Sequence, residues 1–291
     1  MSLHAAAVSP GSSIRWLELP GAEPARVYLH GLGSSSAHYF AEVAGSDGLR
    51  GRRSLLLDLL GHGISDRPTS AGYTMSEHAD WVARALRSAG VSGAQVIAHS
   101  MGGAVATLLA VRHPDLVASL VLVDSNLDPA PEIPAQGSSQ IARYGETVFL
   151  RGGGYEETLE RVGPEWAATM RLAGPEALYR SAASLAKFTG REILKSLAIP
   201  RTYLYPAADG PLEGADALIT AGVRIIAMPD CGHNIMLDDP AGFVAEVLAA
   251  EASAAPAPAP APAAAPAAAL TSTAPTPAPA SPPASEPRIT A

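Results

Sequence analysis

The stretch that most constrains this chain is Val96-Ile97-Ala98-His99-Ser100-Met101-Gly102-Gly103-Ala104. A short apolar run climbs into a serine, and small residues follow at once. Val105-Ala106-Thr107-Leu108-Leu109-Ala110-Val111 then continues with apolar residues at helical spacing. The pattern reads strand, sharp turn, helix, with Ser100 at the turn. Ala98, Gly102 and Gly103 are the small residues such a turn needs, because bulk there would strike the crossing strand and helix. The first small position carries alanine, so the motif is small-x-Ser-x-Gly. By itself the motif leaves two readings open. A serine there can simply cap the helix, or it can be a nucleophile held on a strained turn.

The rest of the chain alternates around this stretch. Residues 1–12 are small and polar and read as a frayed N-terminus. Residues 14–19 alternate as an edge strand would, and Pro20-Gly21 stops them. Short apolar runs at 27–29, 54–60, 96–99 and 120–124 predict buried strands. Residues 37–43 and 75–88 predict helices, the second with Trp81, Val82, Ala85 and Leu86 on one face and Gly90 as its stop. From 126 to 196 proline, glycine and charged residues cut the chain into short helical pieces near 141–150, 155–162, 165–172 and 176–188. Strands resume at 201–205 and 223–228, and a last helix runs over 241–250.

Strands alternating with helices predict an α/β fold with a mostly parallel sheet covered on both faces. Residues 13–125 and 197–250 form its core, and 126–196 form a helical cap inserted over the C-terminal ends of the strands, where such sheets place their sites. Residues 251–291 are of different material, dominated by Ala-Pro repeats. Proline removes donors and fixes φ, so this tail is expected to be a disordered, polyproline-like spacer, with weak partner docking as its one functional alternative.

Composition narrows the function classes. Hydrophobic residues make up 47% of the 291, enough for a substantial core. A net charge of -8 with no basic cluster argues against nucleic acid and anionic membrane as partners. Cys231 is the single cysteine, which excludes an intramolecular disulfide and a cysteine metal site. No apolar run reaches membrane-spanning length, and the N-terminus lacks the basic and apolar regions of a signal peptide, so a cytoplasmic protein is the expectation. The histidines are dispersed and the glycines at 61 and 63 lack dinucleotide-loop spacing, so no metal and no cofactor are expected.

Four separated motifs occur in order: His30-Gly31-Leu32-Gly33; Asp58-Leu59-Leu60-Gly61-His62-Gly63-Ile64-Ser65-Asp66-Arg67-Pro68; the Ser100 elbow; and Gly232-His233-Asn234 followed by Asp239-Pro240. Together they make residues 13–250 resemble an α/β-hydrolase of the bacterial serine-hydrolase group with a helical cap. The chemistry follows from the residue types. A serine hydroxyl needs an imidazole to take its proton, and the imidazole needs a carboxylate to fix its tautomer. His233, in a loop after the last apolar strand, is the expected base.

The resemblance implies Asp209, after the strand at 201–205, as the carboxylate. The familiar Gly-x-x-Asp is replaced there by Pro206-Ala207-Ala208-Asp209, and Asp124 is where some relatives carry the acid instead. Asp230 reads as a turn residue. The backbone N–H groups of Leu32 and Met101 are the expected oxyanion donors. His30 is read as ordering its loop, while His62 and His99 are read as structural. Asp58 to Pro68 reads as a structural loop shaped by its glycines and Asp66.

The implied activity is cofactor-independent cleavage of an ester, thioester or lactone through an acyl-enzyme. The expected partner is a small-molecule substrate with an apolar acyl or aryl group. Tyr144, Phe149, Trp166 and Met170 of the cap are candidate substrate-lining residues. The alternatives within the fold are C–C bond hydrolase, haloperoxidase, acyltransferase or slow-turnover ligand sensor.

Overall fold

The computed structural model describes residues 1–133 and 138–254. Eight strands form one sheet: β1 Ser2–Ser9, β2 Ser12–Leu19, β3 Ala22–Leu29, β4 Arg52–Asp58, β5 Ala94–His99, β6 Val117–Val123, β7 Arg201–Pro206 and β8 Val223–Met228. Their order is β1-β2-β4-β3-β5-β6-β7-β8. The first two junctions are antiparallel and the other five parallel. The parallel strands are joined by helical crossovers, which cover both faces. Their strands therefore read as continuous apolar runs rather than alternating ones.

Strand alternation splits those runs between two cores. Leu55, Leu57, Val96, Ala98, Leu120 and Leu122 face α2 Met75–Ser88 and α3 Met101–Arg112. Leu56, Ile97, Val121 and Val123 face α1 Ser36–Gly45 and α11 Pro240–Ala254, where Phe40 and Phe243 pack together. Each such side chain contributes about 1.5–3 kcal/mol when fully buried. The helix boundary at α2 is set locally, since Thr74 and Glu77 form a reciprocal capping box.

Three expectations about the ends of the chain are corrected. The first twelve residues are not frayed. They supply β1, which pairs with β2 from Ser2↔Glu18 onward and buries Ala6 and Val8 against the core. Consequently β2 lies inside the sheet, between β1 and β4, and β1 is the edge. The last helix extends through Ala254, so Glu251 belongs to the domain. Its carboxylate pairs with Arg26 at 2.6 Å and Arg52 at 2.5 Å. The remainder of the expected tail, residues 255–291, lies outside the described residues.

Between β6 and β7 the chain leaves the sheet, and the described residues there form five α-helices: α4 Glu146–Arg151, α5 Gly154–Arg161, α6 Pro164–Met170, α7 Pro175–Leu185 and α8 Arg191–Ser196. This insertion sits on the loops that follow β3 and β4. The Gly174 amide donates to Gly61 O at 2.9 Å, and Arg67 Nε donates to Leu172 O at 2.7 Å. His78 of α2 and Ser181 of α7 share a 2.9 Å hydrogen bond in a buried setting. Two further helices, α9 Ala215–Thr220 and α10 Ile235–Asp238, complete the core. Among the described residues no helix is long and apolar enough to cross a membrane.

Candidate functional site

Ser100 ends β5 and begins α3 with φ 52 and ψ -123, a conformation that L-residues rarely adopt. What holds it there is close packing on three sides. A Cβ on Gly102 would lie 2.6 Å from His30 O and 2.7 Å from Leu29 O, so β3 crosses directly beneath the turn. A Cβ on Gly103 would lie 2.0 Å from Ser125 Oγ. On the other side, the Ser100 amide donates to Val123 O at 2.9 Å, which ties the elbow to the end of β6. Both glycines are thus required for steric reasons, as the motif predicts. Met101 is the first residue of α3, where an amide has no intrahelical acceptor.

The loop after β3 runs alongside. A Cβ on Gly31 would lie 3.1 Å from Ser100 Cβ, so Leu32 follows a residue already in contact with the elbow. His30 organises this loop. Its Nε2 accepts from the Leu59 amide at 3.0 Å, so the ring proton sits on Nδ1, which donates to Gly31 O at 2.7 Å. Gly31 O and Leu32 N–H belong to one peptide unit, so His30 grips the opposite end of the group that carries the candidate donor. Burial lowers His30 to about 4 and keeps the ring neutral, as this bonding pattern requires.

His233 and Asp124 are brought together. His233 Nδ1 lies 2.6 Å from Asp124 Oδ2, which leaves Nε2 as the free ring nitrogen. The expected pairing with Asp209 is corrected. Asp209 is exposed in the short turn Ala207–Asp209 after β7, and no hydrogen bond or ion pair joins it to His233. The physical reason is strand order. Asp124 follows β6, which lies beside the strand that carries Ser100, with His99 paired to Val123. Asp209 follows β7, one strand further out.

His99 holds His233 from behind. Its Nε2–H donates to His233 O at 2.9 Å, and the two rings lie 4.5 Å apart at 54°. Burial first, and then the neighbouring His233, hold His99 well below its ordinary value. Its Nδ1 is buried with no hydrogen-bond partner. The sequence marked His99 only as structural, and nothing in the motif signals its contact with a loop so distant in the chain. Among the described residues no hydrogen bond joins Ser100 to His233.

The neighbouring expectations resolve individually. Asp230 has φ 54 and sits in a turn. Asp66 accepts from the Ser13 amide at 2.8 Å and pairs with Arg15 at 2.6 Å. Asp58 is buried and accepts from the amides of Ser36 and Ile64 at 2.7 and 2.9 Å. Burial pushes its carboxyl up to about 6. His62 stacks between His30 and His78, and burial holds it down at about 3. These groups shape loops and do not reach Ser100.

The cap residues expected to line a pocket are corrected in part. Phe149 is fully buried among Tyr144, Tyr155 and Tyr179, so it is cap core. Tyr144 is turned to Glu157 and Arg161 at 2.9 and 3.2 Å. Met170 is also fully buried and packs on the loop after β3, where a Cβ on Gly33 would lie 3.1 Å from it. Trp166 Nε1 donates to Leu32 O at 2.9 Å. A groove of about 600 Å³ opens between α2, α3 and the cap, lined by Met75, Leu108, Tyr179 and Lys187 among others. None of its lining residues belongs to the elbow or to the loops of Leu32, Asp124 and His233. Among the described residues no cluster of His, Cys, Asp and Glu could hold a metal ion.

Residues 25–147 match the family model described as alpha/beta hydrolase fold. The chain is 36% identical over 114 residues to the dihydrolipoyllysine-residue acetyltransferase component of an acetoin cleaving system from Cupriavidus necator, a match covering 39% of this chain and 29% of that one. It is 32% identical over 142 residues to an esterase from Mycobacterium tuberculosis, covering 47% of this chain and 45% of the relative. These matches thus take in less than half of either relative's length. An esterase structure from Rhodococcus sp. ECU1013 superposes with a TM-score of 0.68 at 25% identity, covering 88% of this chain and 100% of the other.

Proposed function

We propose that this chain, a member of the α/β-hydrolase fold superfamily, is a serine hydrolase that cleaves a carboxylic ester or a chemically similar acyl compound. The observation that carries this reading is the arrangement at the strand ends. Ser100 stands on a strained elbow beside Met101 N and the Leu32 loop, and Asp124, at the end of neighbouring β6, pairs with His233 on the loop after β8. Asp124 keeps the proton on Nδ1, so Nε2 is the lone pair that takes the Ser100 proton. In unliganded sites such serine–histidine contacts are commonly long and tighten when substrate binds.

The reaction balances with these groups alone. Ser100 Oγ attacks the acyl carbon while its proton passes to His233 Nε2. The negative oxygen that develops meets the amides of Met101 and Leu32, and the positive end of α3 adds to its stabilisation. The C–O bond to the alcohol breaks, and His233 returns the proton to the leaving oxygen. Water then gives a proton to His233 and attacks the acyl carbon; the acyl–Oγ bond breaks, His233 returns that proton to Ser100 Oγ, and the acid leaves. His99 keeps its ring neutral beside the imidazolium that forms in both steps, so no second cation opposes it.

The test is labelling by a fluorophosphonate together with turnover of p-nitrophenyl esters of graded chain length. The wild type should label at Ser100 and hydrolyse at least one ester. Ser100→Ala should lose both, while melting no lower, because alanine fits the elbow and relieves none of its packing. Ester turnover within about tenfold of wild type in Ser100→Ala would refute the nucleophile.

A further inference from the structure

The candidate oxyanion loop is held from two sides, and the upper side belongs to the cap. Leu32 lies between Gly31 and Gly33, the latter with φ 65, so no side-chain bulk fixes the peptide units on either side of it. His30 grips the first of these units through Gly31 O from beneath. The second unit is gripped through Leu32 O, and the donor is the indole N–H of Trp166 in α6. Met170, from the same helix, packs against Gly33 and closes the remaining space over the loop.

We propose that Trp166 is a positioning residue for oxyanion stabilisation: by holding Leu32 O, the cap sets the direction of the Leu32 amide. This rests on the serine-hydrolase reading above and extends it to a residue that does not touch the reacting atoms. With Leu32 O anchored at 2.9 Å, the peptide unit that follows the candidate donor is fixed, which restricts rotation about the Leu32 backbone bonds joining it to the unit that carries the Leu32 N–H. Without the anchor, the unit that carries the amide is held by the His30 contact alone, and its aim at the developing negative oxygen is set less tightly. The ground-state carbonyl carries less charge and depends less on that amide, so the loss falls on kcat and spares KM.

The experiment uses the full chain with two replacements at one position. Trp166→Phe keeps an aromatic ring and removes the donor. 3-Benzothienylalanine at position 166 replaces only the indole N–H by sulfur and keeps the shape. Both should lower kcat for the best p-nitrophenyl ester about tenfold, a fraction of what losing an oxyanion donor outright costs, and leave KM within about twofold. An alkyl boronic acid forms a tetrahedral adduct on the serine with an oxygen in the oxyanion position. Its affinity should weaken by the same factor as kcat, while the melting temperature stays within about 2 °C.

A variant with wild-type kcat, or one whose KM rises as far as kcat falls while boronate affinity is unchanged, would overturn the proposal. If the wild type itself neither turns over esters nor binds boronate, the serine-hydrolase reading fails and this proposal falls with it. If the wild type does both and the benzothienyl variant matches it, only the role of Trp166 is refuted.

Discussion

Asp124 Oδ2 sits 2.6 Å from His233 Nδ1, and Asp124 itself is held at φ 40 with its amide bonded to Leu204 O. The backbone that carries the carboxylate is therefore tied to β7, and the histidine comes to it on a loop. Such a pair orients the imidazole more firmly than two mobile loop residues would. The half-exposed His233 ring gains its direction from Asp124 on one side and His99 on the other.

From this it follows that Asp124→Asn should depress kcat on the order of 10⁴-fold, because the amide stabilises the wrong imidazole tautomer. Asp209→Asn should leave kcat within about twofold of wild type, since its carboxylate is exposed and unpaired with His233. Steady-state rates on one ester decide the matter. The reverse order of effects would restore Asp209 as the acid.

That His233 pairs with Asp124 and not with Asp209 shows what a sequence can carry. Local requirements were legible. Gly102 is demanded by backbone oxygens within 2.7 Å of its missing Cβ and Gly103 by the Ser125 side chain, and α2 is bounded by its own Thr74–Glu77 box. The acid depends instead on which strand end lies beside Ser100, a property of sheet order that no residue near Asp124 announces. β1 was missed because its alanines and serines have weak strand propensity, and only pairing with β2 makes it a strand. The Trp166 contact to Leu32 spans the cap and the core, and the aromatic residue alone suggested lining rather than anchoring.

Acid should unfold this protein in a way that can be traced to its buried histidines. His30, His62, His78 and His99 are all buried, and burial lowers each one, His30 to about 4 and His62 to about 3. Below pH about 6.5 the unfolded chain takes up protons that the folded one refuses, so stability falls with pH by about 1.4 kcal/mol per unit for each such group. Asp58, pushed up to about 6, acts oppositely. It is protonated in the folded state first, and it offsets about one histidine between pH 6 and 4. Urea midpoints should be flat above pH 7 and drop steeply from 6.5 to 4. His62→Phe should make that drop shallower by about one proton; an unchanged slope would show that His62 takes no part.

Glu251 closes the sheet's lower corner by pairing with Arg26, whose side chain is only 4% exposed, and with Arg52. Arg26 keeps hydrogen bonds to Leu49 O at 2.7 Å and Gln95 Oε1 at 3.3 Å, but these carry no charge. Glu251→Gln should therefore destabilise by about 1–3 kcal/mol, less than for a fully buried pair because the carboxylate is partly exposed. Since the site is remote, kcat should not change. A loss below about 0.5 kcal/mol in urea unfolding would mean that solvent already screens the pair.

The two elbow glycines should respond differently to alanine, because they meet different kinds of atoms. At Gly102 the new Cβ would press on the carbonyl oxygens of Leu29 and His30 at 2.7 and 2.6 Å, main-chain atoms at the end of β3 and just past it that cannot swing aside as a side chain could. The helix must shift, carrying Met101 N and Ser100 with it. Gly102→Ala should lose about 3 kcal/mol or more and most of its activity together. At Gly103 the obstacle is the Ser125 side chain, with Oγ at 2.0 Å and Cβ at 2.3 Å. Gly103→Ala should be comparably damaging alone, but Gly103→Ala with Ser125→Gly should recover most of the stability and turnover. The double variant gives up the Ser125 Oγ bond to Ala98 O at 3.2 Å, a net cost of about 1 kcal/mol. Thermal melts and ester rates on the three variants test this. A double variant as damaged as Gly103→Ala alone would show that the clash lies in backbone rather than in Ser125.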